Sequence, residues 1–149
     1  MRAQPIRSRA FPGAVEAAAE AEVWIAGEAA ALGLAEESAF AINLCVEELF
    51  LNAVKHGDAG KANISLWTEP DGARLEFVDD GRAFDPTTAP AKRLSGPGTD
   101  FEIGGFGAGL MQQFARRMTY RREQGLNRVL LEFDAAPARK RGAAAAPAG

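Results

Sequence analysis

One cysteine and one histidine in 149 residues leave little room for the common metal and redox chemistries. Cys45 alone makes no intrachain disulfide, and with His56 it cannot assemble the usual Cys/His zinc site. Cys45 stands in an apolar run, where a free thiol behaves as a small core residue. A chain built without disulfides suits a reducing cytoplasm. No apolar run approaches the roughly 20 residues that span a bilayer, so no membrane association is expected. The first ten residues carry arginines but lack the apolar centre of a signal peptide. Excess positive charge is missing too. The net charge is −3, and Arg139, Lys140 and Arg141 follow the last acid, Asp134, so setting aside their three positive charges leaves −6 on residues 1–134. An acidic body argues against a nucleic-acid partner. What is present is ordinary for one globular domain: 47% hydrophobic and 25% charged residues.

The pattern along the chain alternates helix and strand signals. Ile6, Ser8 and Ala10 alternate weakly, as in an edge strand, until Pro12-Gly13 breaks the run. Ala14 to Leu32 is rich in alanine and glutamate and reads as a helix, with Val15, Ala19, Val23, Ala26 and Ala30 on one apolar face and Gly33 placed to end it. Glu36 to Lys55 reads as a second helix, with acids in its first turn and Gly57 as its stop. Its apolar residues (Phe40, Ile42, Leu44, Val46, Leu49, Phe50, Leu51, Val54) run almost all round, which predicts burial on most sides. Ala62–Thr68 and Arg74–Asp79 read as a hairpin about Pro70, Asp71 and Gly72. A long aperiodic stretch spans 85–104. Gly107–Arg117 reads as a third helix, and Met118–Arg122 with Asn127–Phe133 as a closing strand pair around Gln124-Gly125. Residues 135–149 are Ala, Pro, Gly and basic residues, a composition that predicts disorder.

Three sets of polar residues interrupt this pattern. Glu48, Asn52 and His56 are spaced by four on the second helix and share a face. They form either a solvent-facing stripe, widened by Glu47, or a buried polar row that needs a compensating partner. On the second hairpin strand, Asp79 continues the core-facing row of Leu75 and Phe77, while Asp80 points the other way. Gly81 follows and permits close backbone approach, although Asp-Gly also ends many ordinary strands. Finally, Gly104–Leu110 reads GGFGAGL just before a helix, and exposed N–H groups at a helix start suit phosphate. Alone this cluster is a weak signal, and it lacks the Lys-Ser or Lys-Thr of a P-loop.

Taken in order, these segments resemble the ATP-binding domain shared by gyrase-type ATPases and sensor histidine kinases, the Bergerat fold. Glu48 to Asn52 matches its E-x-x-x-N box, Asp79 to Gly81 its D-x-G box, and Gly105 to Gly109 its G-x-G-x-G box. The ending NAVKHG, the Phe84-Asp85-Pro86 after the second box and the small size resemble the anti-sigma-factor serine/threonine kinases within that superfamily. The likeness covers roughly residues 5–134. It implies an α+β fold: a two-layer sandwich, a mixed and mostly antiparallel sheet, and helices on one face.

The resemblance also implies roles. Asp79 would accept a hydrogen bond from the adenine amino group, with Gly81 beside it. Asn52 would coordinate Mg2+, and Glu48 would serve as general base toward the acceptor hydroxyl. Gly105, Gly107, Gly109 and the adjoining Leu110 would hold the phosphates of ATP, under a lid formed by 85–104 that carries Lys92 and Arg93. His56 would contact phosphate or cap its helix. The implied partners are a STAS-type anti-anti-sigma factor, a sigma factor and a second copy of the chain. Three departures stand out: Ala83 replaces a second glycine, no arginine abuts the glycine box, and Arg117 replaces a frequent aspartate. Three other readings stay open: a non-catalytic ATP-binding switch, a detached histidine-kinase catalytic domain, whose acceptor would lie on another chain, and a gyrase-like ATPase without its transducing domain.

Overall fold

The computed structural model describes residues 6–88 and 107–135, the side chains of 107–110 excepted. Within them the order is β1 (Arg7–Pro12), α1 (Val15–Ala31), α2 (Glu36–Lys55), β2 (Lys61–Glu69), β3 (Gly72–Asp79), α3 (Gly107–Phe114), β4 (Arg117–Glu123) and β5 (Leu126–Asp134). The strands form a five-stranded sheet in the order β1-β2-β3-β5-β4. Every pairing is antiparallel, so the expected mostly antiparallel sheet is wholly so among the described residues.

Alternation gives the sheet one apolar face. Ile64, Phe77 and Val129 lie opposite one another across β2, β3 and β5, as do Leu66, Leu75 and Leu131, and all six are buried. Helix α2 packs over this face. Its boundaries match the sequence reading, and its acidic first turn and Lys55 in the last turn complement the helix dipole. An edge-to-face chain of rings ties the layers together: Phe11 of β1, Phe50 of α2 and Phe77 of β3, with centroids 6.2 and 6.0 Å apart. Cys45 is buried among these residues, and burial pushes its thiol up to about 12. It is a core residue and not a nucleophile.

Helix α1 ends as expected at Gly33. The Gly33 N–H donates to the Ala30 carbonyl and the Leu34 N–H to the Ala29 carbonyl, the paired closure that a residue with positive φ allows. The apolar face expected for this helix is corrected, however. Val15 and Val23 are 48% and 74% exposed, while Ala17, Ala18, Ala21, Ile25 and Ala29 are buried. Alanine recurs on every side of α1, and the stripe that packs is the one that surrounds Ile25. On α2, Phe40 is exposed and marks the side left open, in keeping with the expectation of burial on most sides.

Helix α3 is also shorter than expected. It stops at Phe114, and Arg117 already belongs to β4. The Arg116 N–H donates to the Glu132 carbonyl at 2.7 Å, so pairing with β5 ends the helix. Among the described residues, no helix is long and apolar enough to cross a membrane.

Candidate functional site

Glu48 and Asn52 do not form a solvent-facing stripe. They are 7% and 8% exposed, one helical turn apart on the inner side of α2. Glu48 Oε2 is buried without a hydrogen-bond partner. Burial raises the Glu48 pKa above its ordinary value, and the neighbouring Glu47 charge raises it further. Lys55 and a hydrogen bond with the Asn52 side chain pull the other way. The Asn52 side chain also carries a carbonyl oxygen, an atom able to meet a hard cation. His56 departs from this row. It is exposed, it supplies the backbone C-cap of α2, and its ring stacks on Phe84 with centroids 5.6 Å apart.

Asp79 ends β3 on the core-facing row, 6% exposed. Its Oδ1 accepts hydrogen bonds from the Gly81 N–H at 2.8 Å and from Asn127 Nδ2 at 3.0 Å. Asp80 faces outward, as expected. Its Oδ1 accepts the N–H groups of Gly60 and Lys61 at 2.7 and 2.9 Å, and these donors hold its carboxyl below the usual range. Gly81 is required by space. A Cβ there would lie 2.7 Å from the Gly57 carbonyl oxygen and 3.1 Å from Asp79 Oδ1. The Arg82 N–H also donates to the Gly57 carbonyl at 2.8 Å, which joins the end of α2 to the turn after β3.

These elements enclose a cavity lined by Leu49, Asn52, Ala53, Phe77, Asp79, Phe84, Pro86, Asn127 and Val129, among others. Its walls are apolar, with Asp79, Asn52 and Asn127 as its polar groups. It is narrow, with a volume of about 10 Å³, the size of roughly one water-sized sphere. Phe84 and Pro86, from the turn after β3, are among its lining residues.

Asn127 was not singled out from the sequence. It is 3% exposed and stands directly opposite Asp79 in the β3–β5 ladder. The signal was a polar residue at the head of a strand whose later inward positions are Val129, Leu131 and Phe133. Its place beside Asp79 needed the strand register.

The structure thus brings Asn52 and Asp79 together around one cavity, with Gly81 joined to Asp79 through its N–H and Glu48 buried a turn from Asn52. Gly107, Gly109 and Leu110 lie in α3, which begins at Gly107 and packs against α2. Gly105, Lys92, Arg93, the stretch 89–104 of the expected lid and residues 136–149 of the tail lie outside the described residues. The beginning of the lid is described. Asp85 Oδ1 accepts the Thr87 N–H and hydroxyl at 2.9 and 2.6 Å.

The donor set fits a purine nucleotide with magnesium. The cavity offers apolar walls to a flat ring and a fixed carboxylate to its edge. Among the described residues, no three His, Cys, Asp or Glu side chains could hold a metal on their own. Asn52 offers an amide oxygen, the type of ligand that a hard cation takes alongside phosphate and water.

Comparison with known proteins agrees with this geometry. The histidine kinase-like ATPase domain family matches residues 11–133. The chain is 31% identical over 102 residues to the serine/threonine-protein kinase BtrW of Bordetella bronchiseptica, a match covering 66% of this chain and 72% of that protein. Among solved structures, the crystal structure of the RsbU and RsbW domains of a Mycobacterium tuberculosis protein superposes with a TM-score of 0.61 at 14% identity. That match covers 85% of this chain and 31% of the other, and at such identity it bears on the fold alone.

Proposed function

The chain belongs to the histidine kinase-like ATPase family, and from that premise we propose that it is an ATP-dependent protein serine/threonine kinase of the anti-sigma-factor type. The acceptor is a serine or threonine on a STAS-type anti-anti-sigma factor. Phosphorylation releases that antagonist, and the kinase then holds a sigma factor inactive. The working unit is a homodimer in the cytoplasm, and residues 1–134 form the domain. The serine/threonine kinase named among its relatives supports this reading.

The observation that carries the proposal is Glu48, a buried carboxylate with one unpartnered oxygen and a raised proton affinity. It lies one turn from Asn52 on the helix that walls the cavity. Such a group is placed to take a proton from an attacking hydroxyl. The bond from the acceptor oxygen to the γ-phosphorus forms, the bond from that phosphorus to the β-bridging oxygen breaks, and ADP departs as Glu48 receives the hydroxyl proton. Catalysis of this kind rests on positioning and charge. Asp79 holds the base edge, and the backbone at Gly105, Gly107, Gly109 and Leu110 holds the phosphates. Mg2+, bound through Asn52, would supply charge neutralisation at the phosphates.

The test is phosphoryl transfer from labelled ATP to the STAS-type proteins of the same genome, with Glu48→Gln run alongside. Label on one such protein, lost in the variant, supports the kinase. ATP binding with no label on any of them would replace it with a nucleotide-gated binding switch.

A further inference from the structure

The geometry points to Asn127 as the positioning residue that decides which polarity the cleft presents to a base, acting through Asp79. This rests on the reading of the cavity as a nucleotide site. It goes further, because it explains why Asp79 offers an acceptor in one orientation and names the residue responsible.

The orientation of the Asn127 amide follows from its surroundings. Its Oδ1 receives the Phe84 N–H at 3.3 Å, the Tyr120 hydroxyl at 2.6 Å and the Arg122 guanidinium at 3.1 Å. Its Nδ2 faces acceptors: the Arg82 carbonyl at 2.8 Å, the Gly81 carbonyl at 3.5 Å and Asp79 Oδ1 at 3.0 Å. Turning the amide over would set NH2 against a guanidinium and a backbone N–H, and oxygen against two carbonyls and a carboxylate. Arg122 also donates to the Gly81 carbonyl at 2.8 Å, which fixes the same loop from the far side. Asn127 is therefore held as a donor toward Asp79.

Asp79 Oδ1 then lies between two donors, the Gly81 N–H and Asn127 Nδ2. Both reach the same oxygen, which leaves Oδ2 to meet a guest in the cavity. A carboxylate so placed accepts from the 6-amino group of adenine and repels the 6-oxo group of hypoxanthine. The donors around the inner position also dictate what an amide must do there. In Asp79→Asn, the side-chain oxygen occupies the inner position and NH2 turns toward the cavity, so the cleft offers a donor in place of an acceptor. Adding Asn127→Ala removes one of the two inner donors and leaves the Gly81 N–H alone, so the amide at 79 is no longer held in one orientation and the cleft no longer offers a fixed donor.

The experiment measures ADP and IDP binding by calorimetry, with magnesium, for the wild-type chain, Asp79→Asn and Asp79→Asn/Asn127→Ala. The expected wild-type preference for ADP is about tenfold or more, the size of one charge-assisted hydrogen bond. The single variant is expected to prefer IDP, and the double variant to lose that preference. A purely structural role for Asn127 would weaken both nucleotides together and move neither ratio. An IDP preference kept in the double variant overturns the proposal, as does an unchanged preference in the single variant. If the wild-type chain binds both nucleotides equally, the assignment of Asp79 to the base fails, and the proposal falls with it. Should circular dichroism show the double variant unfolded, Asp79→Asn/Asn127→Leu serves instead. Loss of the IDP preference there supports the role of Asn127, and its retention overturns it.

Discussion

Asp79 and Glu48 are almost equally buried, at 6% and 7% exposure, yet their surroundings differ in kind. Asp79 is held by a backbone N–H and an amide that are themselves held, through Arg122, Tyr120 and the 81–84 loop. Glu48 keeps one oxygen with no partner, and desolvation raises its pKa. A carboxylate whose donors are fixed is a stationary acceptor, suited to recognising a shape. A carboxylate left short of partners holds its proton more tightly and is suited to moving one. Burial alone does not separate the two carboxylates; their hydrogen-bond partners do.

The comparison breaks or sharpens under substitution. The largest effect is expected from Glu48→Gln, which should lower phosphoryl transfer about 10²–10⁴-fold while nucleotide affinity stays close to wild type. A parallel loss of affinity would show that Glu48 helps to bind and does not act in chemistry alone. Next, Asp79→Ala should weaken ADP roughly ten- to hundredfold, as expected for loss of a hydrogen bond to a charged group. Unchanged affinity by calorimetry would remove Asp79 from recognition.

A smaller effect concerns pH. The folded-state pKa of Glu48 lies above its ordinary 4.5, so its contribution to stability is present below that value and is lost as pH rises through the folded pKa. At neutral pH, Glu48→Gln should therefore melt higher than the wild-type chain. The transfer rate of the wild-type chain should rise with pH through the same raised pKa. A melting temperature for Glu48→Gln below wild type at neutral pH would show that the carboxylate is better compensated than its unpartnered oxygen indicates. The smallest effect is expected from deleting residues 135–149. ADP at about 100 times its Kd should still stabilise the shortened chain by the ~2.7 kcal/mol that linkage gives, and loss of that stabilisation would place the domain end wrongly.

Much of this arrangement was legible in the residues themselves. Helix α2 showed its limits because acids open it, a lysine and a glycine close it, and an unbroken helical run lies between. Strands β2 and β3 were visible by alternation, and the same alternation put Asp79 inward and Asp80 outward. The face of α1 was not legible, since alanine recurs on all its sides and only packing around Ile25 decides. The end of α3 was hidden for a different reason. Its last residues have no local breaker, and the stop comes from the pairing of Arg116 with distant Glu132. Asn127 escaped because its meaning depends on lying opposite Asp79 across the ladder, a relation between segments and not within one.

The contact between Gly57 and Gly81 has a consequence for how this chain can vary. Two side chains in contact can exchange sizes over generations, one growing as the other shrinks. At this junction, backbone meets backbone, with the Gly57 carbonyl 2.7 Å from where a Cβ on residue 81 would stand. No neighbouring substitution can make room without separating the end of α2 from the turn after β3. Asp79 and the helix that carries Glu48 are thus joined through backbone alone, and a side chain at residue 81 would disturb both at once.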